Sequence, residues 1–170
     1  MAKRDLNADW KKYYDEHLVS LEEAAKHIEP GDTIFLGQAT SVPYALLDYL
    51  FEHKEDYHDV AFWYNVFNYP TNMYFDHDVK KHFRFLNIFN LPLDRMGMDN
   101  HVVEPLGSGY DQYEISMWEN GVNGFALQVC PPDENGWCNA GDYCICTNST
   151  TNGSPRMKKC FGFIDETGVF

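Results

Sequence analysis

The sequence predicts an α/β protein with an open, mostly parallel sheet flanked by helices. Short strand-like runs alternate with helical stretches across short links, which is the grammar of such sheets. Several of those runs are apolar without strict alternation, as strands covered on both faces are. Val60-Ala61-Phe62-Trp63-Tyr64-Asn65-Val66-Phe67 is the clearest, and Phe83 to Phe89 and Gly124 to Cys130 repeat the type. Lys159 to Asp165 reads as a further strand near the end of the chain. With only Thr167-Gly168-Val169-Phe170 in its vicinity, that strand is expected to lack cover and leave an apolar face exposed.

The first firm element is a helix. Ser20 followed by Glu23 forms a capping-box pair, Leu21, Ala24, Ala25 and Ile28 recur at helical spacing, and Pro30-Gly31 supplies the stop. Asp32 leads into a strand from Thr33 to Leu36 that ends at Gly37. A second helix is expected from about Val42-Pro43, because proline is tolerated in a first helical turn, with Thr40 or Ser41 as cap. Leu46, Leu47, Leu50 and Phe51 form its buried stripe. His53 to Asp59 is a polar turn before the next strand.

A chain of 170 residues, 44% hydrophobic and 23% charged, has the size and composition of one globular domain. Lys and Arg number 13 against 26 Asp and Glu, a formal charge of -13. A nucleic acid or an anionic membrane surface would meet net repulsion. No stretch approaches the run of about 20 apolar residues that a spanning helix needs, and the basic N-terminus has no apolar core behind it. The expectation is a soluble, cytoplasmic protein. Its five cysteines include Cys130, Cys138, Cys144 and Cys146 close together, and reduced structural thiols are expected. The sequons at Asn148 and Asn152 would matter only after secretion.

In an open α/β sheet, ligands sit beyond the carboxyl ends of the strands, so the junction Gly37-Gln38-Ala39-Thr40-Ser41 is the first place to look. Small residues and free backbone donors at a helix N-terminus suit a carboxylate or phosphate, and an ordinary strand-to-helix turn has the same appearance. Trp63 to Phe75 concentrates aromatic residues, which serve cores and interfaces more often than pocket walls. Asp76, His77, Asp78 and His82 offer metal-ligand chemistry, but the two histidines are spaced for different helix faces, and no metal is expected. The segment Val129-Cys130-Pro131-Pro132-Asp133-Glu134-Asn135-Gly136-Trp137-Cys138-Asn139-Ala140-Gly141 leaves a buried strand and turns twice. Its carboxylates read equally as solvated groups, and no nucleophile and base pair is visible in it.

That last segment resembles the SPPDxxGYxxxG signature of the acetyl-CoA hydrolase/transferase branch of the family I CoA-transferases, which includes 4-hydroxybutyrate and butyryl-CoA:acetate CoA-transferases. Trp10, Tyr14 and the run SLEEAAKHIEPGDTIFLGQATSVPYALLDYL are similar to that family's opening elements in order. KKHFRFLNIF, centred on His82-Phe83-Arg84, resembles the approach to its next strand. The chain departs from the pattern at Asn65 to Pro70, where the family has a small glycine-bearing stretch. It departs again over Asn90 to Tyr113, which keeps Arg95 and Pro105, and at Cys130, where serine is commoner.

The resemblance implies the N-terminal half of an acyl-CoA:carboxylate CoA-transferase, with residues 1–170 an incomplete domain. The family's catalytic glutamate lies in the other half, so no catalytic residue is nominated in this chain. Coenzyme A is implied as a substrate, with no tightly bound cofactor, and the partners are an acyl-CoA, a short carboxylate and the missing half or a second chain, with a homo-oligomer expected. Gly37, Gln38 and Ala39 would face the carboxylate or acyl group, and Pro131, Asn139 and Gly141 would line the same cleft. An acyl-CoA hydrolase, a non-catalytic half-domain that binds an anion or a partner, and more remotely a sugar-phosphate isomerase-like domain are the alternatives.

Overall fold

The computed structural model describes residues 9–140, 158–164 and 168–169. Its centre is a seven-stranded sheet: β1 (Thr33–Leu36), β2 (Val60–Tyr64), β3 (Phe83–Asn87), β4 (Val103–Pro105), β5 (Gly124–Gln128), β6 (Lys159–Ile164) and β7 (Gly168–Val169). The strand order is β4-β3-β2-β1-β5-β6-β7, with every pair parallel except β6 with β7. The expected strands are all present: β1 has its expected bounds, and β2, β3, β5 and β6 each stop one or more residues short of their apolar runs. Among the described residues five α-helices accompany them: α1 (Trp10–His17), α2 (Leu21–Ala25), α3 (Tyr44–Glu52), α4 (Pro92–Asp99) and α5 (Tyr113–Glu119).

The winding explains the layers. From β1 the chain steps outward through β2 and β3 to β4, then returns past β1 to place β5 on the other side. Parallel crossovers are right-handed, so reversing the direction of travel moves the crossover helix to the opposite face. Ile34, Leu36, Phe62 and Tyr64 accordingly share one core with Ala24 and Ala25 of α2 and with Leu46, Leu47 and Leu50 of α3. Phe35, Trp63 and Phe125 share the second core with Tyr113 and Met117 of α5.

Local chemistry matches the sequence reading at α2, where the Ser20 hydroxyl accepts from the Glu23 amide at 3.2 Å. The helix is shorter than its apolar spacing suggests, and Ile28 is buried beyond its end. At α3 the capping expectation is corrected. Pro43 itself occupies the N-cap position, a short 3-10 turn (Ala39–Ser41) precedes it, and neither Thr40 nor Ser41 caps the helix. The expected lack of cover on the last long strand is corrected too. β6 is followed by antiparallel β7, and Val169 in turn bridges to Val19.

Polar groups tie the amino ends of the central strands. Asp32, 5% exposed, accepts from Asn123 Nδ2 at 3.0 Å, from the Glu29 amide at 2.8 Å and from Lys159 Nζ at 2.6 Å. Asn123 also accepts from the Thr33 amide at 3.0 Å, so β1, β5 and β6 start from one hydrogen-bonded node. A second node holds α4 to β2. Asp94 Oδ1 accepts from the hydroxyls of Tyr64 and Tyr74, each at 3.0 Å, and Asp94 Oδ2 accepts from the Leu91 amide at the start of the helix. Asp94 is fully buried, and that burial raises its carboxyl above the usual range despite the donors around it.

The folded state therefore holds the Asp94 proton more tightly than the unfolded chain does. This group favours the fold below the ordinary carboxylate range, and the advantage is lost as pH rises through the raised value. Asp94→Asn removes the titration while keeping an acceptor for the tyrosines. Urea unfolding at about pH 4 and about pH 7 is expected to show the wild type losing stability relative to Asp94→Asn as pH rises; a difference independent of pH would refute the assignment.

Candidate functional site

The reversal of winding makes the gap between β1 and β5 a topological switch point, and the chain segments leaving these two strands meet there. β1 ends at Gly37. Its amide donates to Ala126 O of β5 at 3.1 Å, and a Cβ built on it would lie 2.1 Å from Ser41 O. Only glycine allows the chain to turn back so closely on itself. Ala39 then takes a left-handed backbone with φ 49° and donates its amide to Val66 O, beyond β2, at 2.8 Å.

The sequence expectation of free donors at a helix N-terminus is corrected for three of the five residues of this junction. The amides of Gly37, Ala39 and Ser41 are all spent on protein carbonyls, and the turn that follows is a short 3-10 segment rather than the start of α3. Gln38 and Ala39 are buried, 2% and 5% exposed. Gln38 Nε2 donates to the Tyr113 hydroxyl at 3.1 Å, and the Tyr113 ring stands edge-on to Trp63 at 4.8 Å between centroids. The junction is thus a rigid wall built from three strand ends and α5.

The second wall leaves β5. Val129 donates its amide to Phe163 O of β6 at 2.8 Å, Cys130 donates to Asn139 O at 2.8 Å, and Asp133 donates to Trp137 O at 3.0 Å, so 130–139 is a closed loop. Asp133 holds its tip. Its carboxylate accepts from the amides of Trp137 at 2.9 Å and Asn135 at 2.8 Å, and these bonds hold it below the usual carboxylate range. Asp133 is therefore a turn-forming residue and not a proton donor near neutral pH. Gly136 has φ 82°, and a Cβ there would lie 2.5 Å from Trp10 Cγ, so α1 packs directly under the turn.

The two walls touch where the Ser41 hydroxyl donates to Ala140 O. Among the residues expected at the site, Gly37, Gln38 and Ala39 form the first wall. Pro131 and Asn139 belong to the loop anchored beside it, and Gly141 lies outside the described residues, as do Cys144, Cys146 and both sequons. The Gln38–Tyr113 and Ser41–Ala140 contacts were not legible in the sequence, since they join positions 75 and 99 residues apart.

The remaining candidates are placed elsewhere. Burial and the neighbouring Asp133 and Cys130 raise the Cys138 thiol, which keeps it protonated and poorly nucleophilic at neutral pH. Trp63, Phe67 and Tyr74 are core, while Tyr69 and Phe75 are exposed. Asp76 pairs with Lys54, Asp78 pairs with Lys81, and His82 Nδ1 lies 2.9 Å from Tyr57 O. Arg84 makes a two-pronged pair with Glu104 across β3 and β4, at 3.0 and 2.9 Å, exposed on the sheet rather than near the switch point.

No protein-family model matches the chain, and no curated protein matches it. Solved structures do. The structure of RipA from Yersinia pestis matches with a TM-score of 0.67 and 23% identity, covering 78% of this chain and 33% of that one. A RipA point variant matches with a TM-score of 0.73 and 20% identity over 95% of this chain and 41% of that one. A 4-hydroxybutyrate CoA-transferase from Porphyromonas gingivalis matches with a TM-score of 0.64 and 13% identity over 94% of this chain. The chain has a CoA-transferase-like fold. It spans 33 to 42% of the length of these neighbours, so the CoA-transferase-like unit described here corresponds to part of each of them.

Gly37→Ala tests the first wall of this CoA-transferase-like unit. Backbone must move to admit the methyl group, and the expected loss is about 1–3 kcal/mol of stability, read as a lower urea midpoint. An unchanged midpoint would show that the close approach of Gly37 to Ser41 does not constrain the turn.

Proposed function

We propose that this chain is the N-terminal half of an acyl-CoA:carboxylate CoA-transferase, moving CoA between a short-chain acyl-CoA and a free carboxylate. The observation that carries the reading is the meeting of the Gly37–Ser41 turn and the 130–140 loop at the switch point, in a CoA-transferase-like fold. These belong to two of the three segments on which the sequence resemblance rests, and the fold brings them into contact.

In this reading the chain binds and encloses substrate, and a glutamate outside these residues, in the same polypeptide or a second chain, performs the exchange. Its carboxylate attacks the thioester carbonyl and CoA leaves as thiolate, giving a mixed anhydride. The thiolate then attacks the glutamyl carbonyl, releasing the first carboxylate and leaving glutamyl-CoA, and a second carboxylate reverses both steps. The buried Gly37, Gln38 and Ala39 would help exclude the water that would hydrolyse the intermediate. Gly37, Gln38, Ala39, Pro131, Asn139 and Gly141 are the substrate-pocket residues in this assignment, and the enzyme works as a cytoplasmic homo-oligomer.

The test is an exchange assay on the protein assembled with its glutamate-bearing half, supplied with acetyl-CoA and each unbranched carboxylate from propionate to hexanoate. A new acyl-CoA is expected for at least one acid. Loss of thioester with no new thioester would replace the transferase with a hydrolase, and neither change, with no binding of CoA esters, would leave a non-catalytic binding domain.

A further inference from the structure

Asn65 follows the last residue of β2 and is fully buried, yet its side-chain Nδ2 and Oδ1 have no hydrogen-bond partner among the described residues. Trp63 Nε1, two positions earlier on the same strand, is in the same condition. Polar side chains at the ends of the adjacent strands, one position out of register with Asn65, are satisfied. Gln38, beyond β1, donates to Tyr113. Asn87, at the end of β3, donates to Asn65 O at 2.9 Å and accepts from the Phe89 amide at 2.9 Å. A bare buried carboxamide is costly, and a leucine would fill similar space without the cost. Such a group in a native fold calls for a partner that binds to it.

Its position says where that partner would be. The Asn65 backbone is held by Asn87 on one side, and Val66, the next residue, accepts from the Ala39 amide on the other. Asn65 therefore stands immediately behind the Gly37–Ser41 turn. We propose that the Asn65 carboxamide is a ligand-reading group of the strand-end site. It pairs with a ligand group that carries both a hydrogen-bond donor and an acceptor, which is the chemistry of an amide or a hydroxyl.

The donor and acceptor count selects that class. A plain alkyl acyl chain would leave both ends of the carboxamide bare, and a carboxylate would satisfy Nδ2 while setting its own lone pairs against Oδ1. An amide or hydroxyl answers both. Within the CoA-transferase reading, on which the identity of the ligand rests, such a group has two sources: the amides of the pantetheine arm of CoA, or a hydroxyl on the acyl chain. A site built to hydrogen-bond one of these discriminates strongly against analogues that lack it.

The experiment is a titration of the 15N-labelled 170-residue chain with pantetheine, with 3- and 4-hydroxybutyrate, and with butyrate as the apolar control. The Asn65 side-chain signal is assigned by its disappearance in Asn65→Leu, or in Asn65→Ser if the leucine variant does not fold. The signal is expected to move with pantetheine or with a hydroxybutyrate and not with butyrate, and which of them moves it identifies the source. Asn65→Leu is expected to melt at the same or a higher temperature while losing roughly tenfold to a hundredfold in affinity for that ligand. Equal binding by wild type and variant, or a stationary signal while CoA esters bind, would overturn the role of Asn65 and leave the CoA-transferase reading standing. A stationary signal with a bound water detected at the amide would assign Asn65 to that water alone. No binding of any titrant by this chain would overturn the role of Asn65, and no binding of CoA or acetyl-CoA by the protein assembled with its glutamate-bearing half would remove both proposals.

Discussion

The parallel pairing of β1 with β2 on one side and β5 on the other is the constraint on which the remaining structure depends. Parallel strands need long crossovers, and right-handed crossovers in opposite directions put helices on opposite faces of the sheet. α2 and α3 then build one core and α5 the other, and the carboxyl ends of β1 and β5 diverge into separate loops. The switch point is a result of strand order before any side chain at the site is considered. Side chains at the opposite end make that order rigid, because Asp32, Asn123 and Lys159 fasten the starts of β1, β5 and β6 together.

What the sequence reveals of this fold follows from how local each signal is. Thr33 to Leu36 and the run from Val60 are strands because both of their faces are buried, and a doubly buried strand leaves an unbroken apolar run. β4 is not legible because it is three residues long, holds a glutamate at its centre and ends in proline, so it has the composition of a loop and becomes a strand only by pairing with β3. α4 went unread because its glycine and aspartates give it a poor helical pattern. Its reason to be helical lies in Asp94, which joins the helix start to two tyrosines on other elements. The cap assigned to Thr40 or Ser41 failed for a related reason, since Ser41 is used across the site by Ala140, a partner 99 residues away.

The site divides in the same way. Gly37 and the turn at Asn135-Gly136 are legible, because close approach and a left-handed backbone restrict residue choice at a single position. Asn65 is not legible, since an asparagine between aromatic residues looks the same whether it is satisfied, solvated or bare. Its significance exists only after folding has removed it from water and denied it a partner. The resemblance to CoA-transferases identified the two segments that form the walls, while the structure alone shows that they touch and that the Gly37, Ala39 and Ser41 amides are already used.

Those committed donors bear on how the proposed reaction is shared between the halves. The walls described here offer carboxamides, a hydroxyl and small residues, and none of Gly37, Gln38, Ala39, Ser41, Asn65, Pro131 or Asn139 carries a charge. CoA is polyanionic, and a chain of formal charge -13 repels it at long range. Neutral groups favour a ligand by directional hydrogen bonds and not by net charge, so they suit the uncharged amide and acyl portions of an acyl-CoA and give the phosphates nothing. Under the proposed function, a half built this way would read the ligand near its reacting end. The attraction for the phosphates, like the glutamate, then belongs to the other half of the proposed enzyme.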